Sequence, residues 1–297
     1  MYTREKTQTV QVGNLYIGGG HPVVVQSMVN ADPHDAEAIL SQIQRLFVAG
    51  CELVRLAVPD REAVAVFGQV CQSSPVPLVA DIHFDYRLAL AAIDAGAAKV
   101  RINPGNIGSE DRVAQVLQAA KEAGIPIRIG VNSGSLPKDL LEKYAVSPQA
   151  MVEAADRYIK LCAQYDFNNL VFSLKASTVP LAVEASLEFA RRYPFPQHLG
   201  ITEAGPPEVG IIKSAAGLGA LLGQGIGDTI RVSLTGDPVQ EVEVAYRILQ
   251  AFNLREYGPQ LVSCPTCGRC QVPLAEIATE VAQALQGIRT PLKVAVM

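Results

Sequence analysis

Three cysteines near the end of the chain offer metal chemistry. Cys264, Cys267 and Cys270 are each separated from the next by two residues. Two thiols at this spacing can bind one metal centre from a single turn, and a proline between the first two disfavours a long helix there. The spacing is typical of zinc sites, iron–sulfur clusters and dithiol redox centres. The motif therefore predicts a metal or redox site in this part of the chain.

The alternatives for this motif differ in what they need around the thiols. Structural zinc takes four protein ligands, yet no cysteine or histidine follows Cys270. A thioredoxin-type dithiol follows a strand early in a small domain, whereas these cysteines come late in a long chain. We favour metal or cluster binding, and structural or unmetallated thiols are the alternative.

Polar side chains recur two residues apart within several apolar, β-rich runs. Residues two apart in a strand point to the same face of the sheet, so each pair shares a face. If the other face packs on helices, it cannot take charges, and these groups must point to an interior face. The pairs are Asp81 with His83, Arg101 with Asn103, Ser173 with Lys175 and Arg231 with Ser233, and Arg128 and Asn132 lie four apart.

Five cations from five strands would converge on that interior face. They are Arg55, Arg101, Arg128, Lys175 and Arg231. Without a counter-anion they would repel one another at high cost. The same strands offer two carboxylates, Asp81 and Glu203, so the surplus charge predicts a dianionic ligand such as a phosphate or diphosphate. A single arginine could instead form a structural ion pair or lie at a solvated rim, but this alternative does not fit all five at once.

Other groups at the same strand ends could orient such a ligand. Asn103, Asn132 and Ser233 supply neutral hydrogen bonds. Glu203 is the candidate acid or base, because a carboxylate at a strand tip among cations has a role beyond packing. His83 is a candidate for binding the ligand. An equally good interpretation is that it is a core histidine with its hydrogen bonds satisfied.

These residues need a scaffold of alternating strands and helices, and the sequence predicts one. A short β-rich run, a polar loop and an amphipathic helix recur along the chain, and several helices end at a glycine. Strand starts follow one another at intervals of roughly 20 to 45 residues, which fits a strand plus a crossover helix. The eight predicted strands are 23–28, 53–58, 78–82, 99–103, 127–132, 170–175, 199–203 and 229–234, and predicted helices include 35–49, 86–95, 109–123 and 147–165.

Eight such units over about 250 residues predict an α/β fold, a closed (β/α)8 TIM barrel rather than an open doubly wound sheet. A hairpin over 9–17 precedes the first barrel strand. We place the barrel, as a substrate-binding domain, at residues 1–258, because a Gly-Pro pair marks a linker there. Residues 259–297 follow, with a helix at 273–286 and a strand at 292–297, and are too few for a self-sufficient domain.

Composition narrows the classes of function. The hydrophobic fraction is 49% and the net charge is −4, so the chain can bury a core and has no overall attraction to nucleic acid or an anionic membrane. We find no signal core and no apolar run long enough to span a bilayer, which predicts a cytoplasmic protein. Cys51, Cys71 and Cys162 are expected to be buried thiols rather than disulfide partners.

Six motifs in order carry a resemblance to a known family. They are Val25-Gln26-Ser27-Met28, Ala80-Asp81-Ile82-His83-Phe84, Arg101-Ile102-Asn103-Pro104-Gly105-Asn106, Gly130-Val131-Asn132-Ser133-Gly134-Ser135, Thr202-Glu203-Ala204-Gly205 and Ser263-Cys264-Pro265-Thr266-Cys267. Together they resemble the 4-hydroxy-3-methylbut-2-en-1-yl diphosphate synthase family of the methylerythritol phosphate route to isoprenoids. The resemblance covers essentially the whole chain.

The resemblance implies a reductase with a defined substrate. Two electrons delivered through a 4Fe-4S iron–sulfur cluster would open 2-C-methyl-D-erythritol 2,4-cyclodiphosphate and remove a hydroxyl, giving 4-hydroxy-3-methylbut-2-enyl diphosphate and water. Cys264 and Cys267 would ligate the cluster, and Asp81, Asn103, Asn132 and Glu203 would address the hydroxyl-bearing carbons. The residues implied to hold the diphosphate are Arg55, Arg101, Arg128, Lys175, Arg231 and Ser233.

The resemblance also implies partners. Ferredoxin or flavodoxin would donate the electrons. The cluster domain of one subunit would cover the barrel mouth of the other, which implies a homodimer.

The sequence departs from the family in one respect. A third cysteine and a glutamate ligand are expected in a segment that would follow Met297, so we expect 259–297 to be an incomplete cluster domain and this chain alone to be inactive. Cys270 does not match a family ligand.

Two other functions are open on the residues alone. One is a non-redox barrel transferase that acts on a diphosphate ester and holds zinc at the cysteines. The other is an anion-binding barrel that lacks catalysis.

Overall fold

A hairpin and a ring of parallel strands form the centre of the computed structural model, which describes residues 4–103 and 107–297. The hairpin consists of β1 (Val10–Val12) and β2 (Leu15–Ile17), paired antiparallel as the sequence predicts. The barrel strands are β3 (Val24–Met28), β4 (Leu53–Ala57), β5 (Leu78–Ile82), β6 (Lys99–Ile102), β7 (Ile127–Asn132), β8 (Leu170–Lys175), β9 (His198–Leu199) and β10 (Thr229–Ile230).

The eight strands form one parallel sheet that closes on itself. Their order is β8-β7-β6-β5-β4-β3-β10-β9. The ends of this order meet where Phe172 of β8 bridges Gln197 just before β9, and the Phe172 amide donates to the Pro196 carbonyl at 2.9 Å. The (β/α)8 TIM barrel predicted from the sequence is thus confirmed.

Helices follow the strands and cover the outside of the ring. They are α1 (Ala36–Val48), α2 (Arg61–Ser73), α3 (Tyr86–Asp94), α4 (Glu110–Ala123), α5 (Lys138–Tyr144), α6 (Pro148–Gln164), α7 (Val179–Arg192), α8 (Pro207–Leu222) and α9 (Pro238–Ala251). Asp35, Asp60 and Ser147 cap α1, α2 and α6 by accepting a hydrogen bond from the backbone three residues on. The caps of Asp35 and Asp60 fix loops that lead from strand to helix at the barrel mouth, and that of Ser147 fixes the turn between α5 and α6.

Strand alternation separates an apolar outer face from a polar lumen. In β6, Val100 and Ile102 belong to the large core under the helices. Lys99 and Arg101 alternate with them and therefore point into the barrel. The lower end of the lumen is closed by the hairpin, in a second apolar cluster that contains Val10, Val12, Ile17, Val24, Leu53, Val79 and Val171.

Two barrel strands are shorter than predicted. The sequence pattern extends the seventh and eighth strands to residues 203 and 234, whereas β9 ends at Leu199 and β10 at Ile230. After β9, Glu203 has φ 53 and Gly205 has φ 104, left-handed conformations that no strand can hold, and after β10 residues 231–234 have no regular secondary structure. Both predicted strand ends were therefore wrong, and the residues there lie in loops.

The segment after the barrel has a strand, a helix and a strand. They are β11 (Gln260–Ser263), α10 (Leu274–Ala284) and β12 (Lys293–Val296), and the two strands pair in parallel. The three cysteines lie on the loop between β11 and α10. Among the described residues, no helix is long and apolar enough to cross a membrane.

Candidate active site

Asp81 is the central carboxylate of the lumen. Its Oδ1 accepts a hydrogen bond from Arg101 Nη1 at 2.9 Å, and its Oδ2 lies 3.6 Å from Arg55 Nε. Burial alone would raise the pKa of Asp81, but Arg55 and Arg101 outweigh it and hold the pKa at about 2. Asp81 is therefore ionised at neutral pH and anchors two of the five cations.

A second buried carboxylate, Glu241 on α9, orients Arg231. Its oxygens lie 3.1 Å from Arg231 Nε and 3.2 Å from Arg231 Nη2. The same side chain accepts from the Leu234 amide at 3.0 Å and from the Ser27 hydroxyl at 3.2 Å. Four contacts fix this carboxylate, so the guanidinium of Arg231 is held in one orientation.

Sequence reasoning missed Glu241 because it considered carboxylates on strands only. The signal was present: Glu241 lies on the face of α9 that also buries Val242, Ala245 and Ile248. A glutamate on an apolar helix face needs a buried partner. Met28 was also missed, and its sulfur lies 2.8 Å from Arg55 Nη2 and 3.5 Å from Arg231 Nη1.

Arg128 and Lys175 are buried cations that form no ion pair with the described residues. Arg128 is 1% exposed, and its Nε and Nη1 have no hydrogen-bond partner among the described residues. Burial, Arg55 and Arg101 push the pKa of Arg128 well below its ordinary value, and burial and Arg128 do the same to the pKa of Lys175. Such groups are costly in a free protein and favour a bound anion.

Two glycines make room for these long side chains. A Cβ on Gly130 would lie 2.9 Å from Arg101 Nε, and one on Gly200 would lie 2.9 Å from Lys175 Nζ and 2.7 Å from the Arg231 carbonyl. Any larger residue would displace a cation from the lumen. The close approach explains why these two positions, Gly130 in β7 and Gly200 directly after β9, carry glycine.

The uncharged residues that we predict to hydrogen-bond the ligand lie at the upper rim of the barrel. Asn103 is buried and its amide donates to the Ser135 hydroxyl at 3.0 Å. Asn132 and Ser233 are half-buried. Residues 104–106 of the motif that begins at Arg101 lie outside the described residues.

His83 and Glu203 reach the rim from opposite sides of the barrel. The His83 side chain is 57% exposed, and its Nε2 lies 3.2 Å from Arg101 Nη1, so the core-histidine alternative was wrong. Glu203 is exposed in the loop after β9 and makes no hydrogen bond or ion pair with the described residues. The structure thus brings His83 to the cation cluster, while Glu203 stands at the entrance.

The cysteine loop supplies thiols but not a complete metal site. Cys264 and Cys267 are exposed, Cys270 is half-buried, and all three are free. Hydrogen bonds from the backbone and side chain of Arg269 lower the pKa of Cys267, which favours the thiolate that metals bind. Among the described residues, no group of three or more histidine, cysteine or carboxylate side chains is arranged to hold a metal ion.

A separate cavity of about 400 Å³ lies at the other end of the barrel. Its lining includes Lys6, Tyr193, Phe195 and Asp228. None of the predicted site residues lines it. We therefore place the functional site in the lumen, where the cations converge.

A parallel (β/α)8 barrel with basic side chains converging in its lumen defines a TIM-barrel protein whose candidate site suits an anion. Comparison with known families agrees with this class. The chain belongs to the GcpE family: the GcpE TIM-barrel domain matches residues 7–246, and the GcpE protein C-terminal domain matches residues 260–297.

Curated relatives are similar over nearly the whole chain. One from Caldanaerobacter subterraneus is 52% identical over 99% of this chain and 83% of its own length. One from Thermodesulfovibrio yellowstonii is 51% identical over 100% of this chain and 85% of its own length. Both are named 4-hydroxy-3-methylbut-2-en-1-yl diphosphate synthase (flavodoxin).

Solved structures of other enzymes share the fold. Dihydropteroate synthase of Yersinia pestis, in a sulfonamide complex, has a TM-score of 0.61 at 16% identity and covers 84% of this chain and 100% of its own. N-acetylneuraminic acid synthetase of Leptospira borgpetersenii has a TM-score of 0.58 at 12% identity, with coverage of 95% and 98%. At such identities the likeness shows the fold alone, and it does not favour the transferase alternative.

Proposed function

We propose that this chain acts in the reductive ring opening and dehydroxylation of 2-C-methyl-D-erythritol 2,4-cyclodiphosphate to 4-hydroxy-3-methylbut-2-enyl diphosphate. The chain is an oxidoreductase of the methylerythritol phosphate pathway, by its membership of the GcpE family and its 52% identity to synthases of that name. The observation that carries the assignment to the lumen is the presence of five basic side chains there, of which three contact the two buried carboxylates Asp81 and Glu241.

The charge balance of the lumen supports a diphosphate ligand. Asp81 and Glu241 can neutralise two of the five cations, which leaves a net positive site. A cyclic diphosphate carries two negative charges and presents several acceptor oxygens to guanidinium groups. We assign its diphosphate to Arg55, Arg101, Arg128, Lys175, Arg231 and Ser233.

The carbon part of the ligand would face the rim. Asp81, Asn103 and Asn132 would contact its oxygens, and His83 would line the entrance beside Arg101. Glu203 would act as acid or base, because its loop places an exposed carboxylate at the mouth. The hairpin that seals the lower end leaves this mouth as the route by which the ligand enters.

A 4Fe-4S cluster is implied by the family, and the donor set present fits it in part. Cys264 and Cys267 would be two of its ligands, and the cluster would supply electrons one at a time. The described residues do not complete the set, since Cys270 is half-buried and Glu276 and Glu280 are exposed on α10. We therefore assign the two thiols and derive no reaction step through the cluster.

The remaining proposals concern partners and organisation. Flavodoxin is the proposed electron donor because the relatives carry that word in their names, and ferredoxin is the other candidate. We propose a homodimer on the resemblance, a division between barrel and cluster domain after Gly258, and a cytoplasmic location. Six free cysteines agree with a reducing compartment.

Ligand selectivity tests the proposed function. The melting temperature of the protein is measured with the cyclic diphosphate and, separately, with a pterin diphosphate ester of the kind a barrel transferase uses. Stabilisation by the cyclic diphosphate alone supports the proposal. Stabilisation by the pterin ester alone would contradict it.

A further inference from the structure

Lys99 lies beneath the candidate anion site and takes part in none of the contacts described above. It stands two residues before Arg101 on β6, on the face that points into the lumen. The residue is fully buried, and its Nζ has no hydrogen-bond partner among the described residues. A buried, unpartnered amine is rare and calls for a physical reason.

The groups that face Lys99 are cations or titratable nitrogens. Arg128 on β7 and Arg55 on β4 act on it directly, and His198 on β9 interacts with it from across the lumen. Asp81, the buried carboxylate on the neighbouring strand β5, is engaged by Arg101 and Arg55. His198 uses Nδ1 to contact the Thr229 hydroxyl at 2.6 Å, while its Nε2 has no partner among the described residues.

This surrounding disfavours charge on Lys99 in the free protein. Burial, followed by Arg128 and Arg55, lowers the pKa of Lys99 well below its ordinary value. Two negative charges against the guanidinium of Arg128 would offset its repulsion of Lys99, because the local potential at the base of the lumen then falls. The amine of Lys99 therefore binds a proton more tightly when the ligand is bound than in the free protein.

We propose that Lys99 takes up a proton from solvent when the cyclic diphosphate binds, so that the base of the site becomes cationic only in the presence of the ligand. The proposal rests on the proposed function for the identity of the ligand. Lys99 is here a positioning residue, which acts through Arg128 rather than by touching the reacting atoms. Its benefit is that the free protein need not hold a further buried positive charge beside Arg128 and Arg55.

Calorimetry measures proton uptake directly. The cyclic diphosphate is titrated into the protein at one neutral pH in buffers of different ionisation enthalpy. Each phosphorus of the cyclic diphosphate has one ester and one anhydride linkage, so its single acidic hydroxyl is fully ionised at that pH and any proton taken up must go to the protein. We expect uptake of about one proton per ligand in the wild type and its loss in Lys99→Met. Uptake that persists in Lys99→Met but is lost in Lys175→Met or His198→Asn would overturn the assignment to Lys99.

The pH dependence of affinity gives a second readout that needs no variant. Proton uptake on binding requires the affinity for the cyclic diphosphate to fall as pH rises, by up to about tenfold per pH unit between the pKa values of the free and bound states. An affinity that is constant between about pH 6 and 9 would overturn the proposal.

Sulfate separates this proposal from the proposed function. It is a fully ionised dianion at neutral pH and can occupy the same cations. If the cyclic diphosphate does not bind while sulfate binds with uptake of a proton that Lys99→Met abolishes, the ligand assignment fails and the inference about Lys99 stands. Binding of either anion without proton uptake would contradict the inference alone.

Discussion

At the scale of single residues, the site is a set of cations held apart by a few fixed contacts. Asp81 holds Arg101 and lies beside Arg55, and Glu241 holds Arg231. Arg128 is fully buried, and its Nε and Nη1 find no hydrogen-bond partner in the part of the chain that the structure describes. A site of this kind is preorganised, because its charges do not have to move when an anion arrives.

Arg128→Ala should weaken binding of the cyclic diphosphate by about 1.5–3 kcal/mol, the range for a charged hydrogen-bonding partner. Removing an unpartnered buried cation should not unfold the protein. Isothermal titration calorimetry measures the effect. Arg87→Ala is the control, because Arg87 is exposed and, among the described residues, its ion pair is with Asp85 on the surface. Equal affinity in Arg128→Ala and the wild type would remove Arg128 from the site.

The sequence predicts the cations well and their partners poorly. Period-two spacing within apolar runs is enough to place Arg101, Arg128 and Lys175 on the lumen face. It cannot show which carboxylate from outside a strand reaches them, and so Glu241 was missed. It also gave no reason to single out Met28, since a methionine at the end of an apolar strand has the pattern of an ordinary core residue.

At the scale of elements, the sequence predicts where strands begin better than where they end. The predicted first residues of the strands agree closely with the structure, because each apolar run begins where the chain enters the sheet. The ends of β9 and β10 do not, because the chain turns away there and Glu203 adopts a positive φ. That loop carries the candidate acid or base, so the deviation coincides with the functional end of the barrel.

Gly200→Ala should lower both stability and affinity for the cyclic diphosphate. The added Cβ would meet the backbone carbonyl of Arg231 at 2.7 Å, and backbone cannot easily give way. We expect a loss of about 1–3 kcal/mol in the free energy of unfolding, as for overpacking. Gly134→Ala is the matched control, since nothing lies within 4 Å of its new Cβ. A Gly200→Ala protein as stable as this control would show that β9 has room to shift.

The cysteine loop leads to a prediction about iron. The described residues offer Cys264 and Cys267 as cluster ligands and no arranged group of three. Anaerobic reconstitution with iron and sulfide should therefore give well under one stable cluster per chain. Iron analysis and visible absorbance measure this. Stoichiometric cluster in the wild type that is lost in Cys270→Ala would contradict the prediction and make Cys270 a ligand.

At the scale of the whole molecule, the barrel is closed below and open above. The hairpin seals the lower end, and the chain that leads into it is tied down by Asp228, which accepts from the Thr7 hydroxyl at 3.0 Å and from the Gln197 amide at 2.8 Å. Burial raises the pKa of Asp228 to about 6, although these hydrogen bonds oppose the shift. The contacts that Asp228 makes at the lower end of the barrel therefore depend on pH. Asp81, the carboxylate that holds cations in the lumen, does not titrate near neutrality.

Asp228 should make the protein less stable as pH rises from about 4 to above 6. The folded state binds the proton more tightly than the unfolded state, so ionisation costs stability over that window, by up to about 3 kcal/mol for a shift of about two units. Chemical denaturation at several pH values tests this. The decline should be absent in Asp228→Asn and retained in Asp94→Asn, a control at an exposed position. A decline of the same size in Asp228→Asn would assign it to another group.

The location of the bound ligand tests the central claim most directly. A crystal structure of this chain with 2-C-methyl-D-erythritol 2,4-cyclodiphosphate should show phosphate oxygens about 3 Å from the nitrogens of Arg101, Arg128 and Lys175. The carbon part should face Asn103 and the loop of Glu203. Density for the ligand outside the lumen, for example in the cavity beside Lys6 and Phe195, would contradict the assignment of the barrel mouth as the active site.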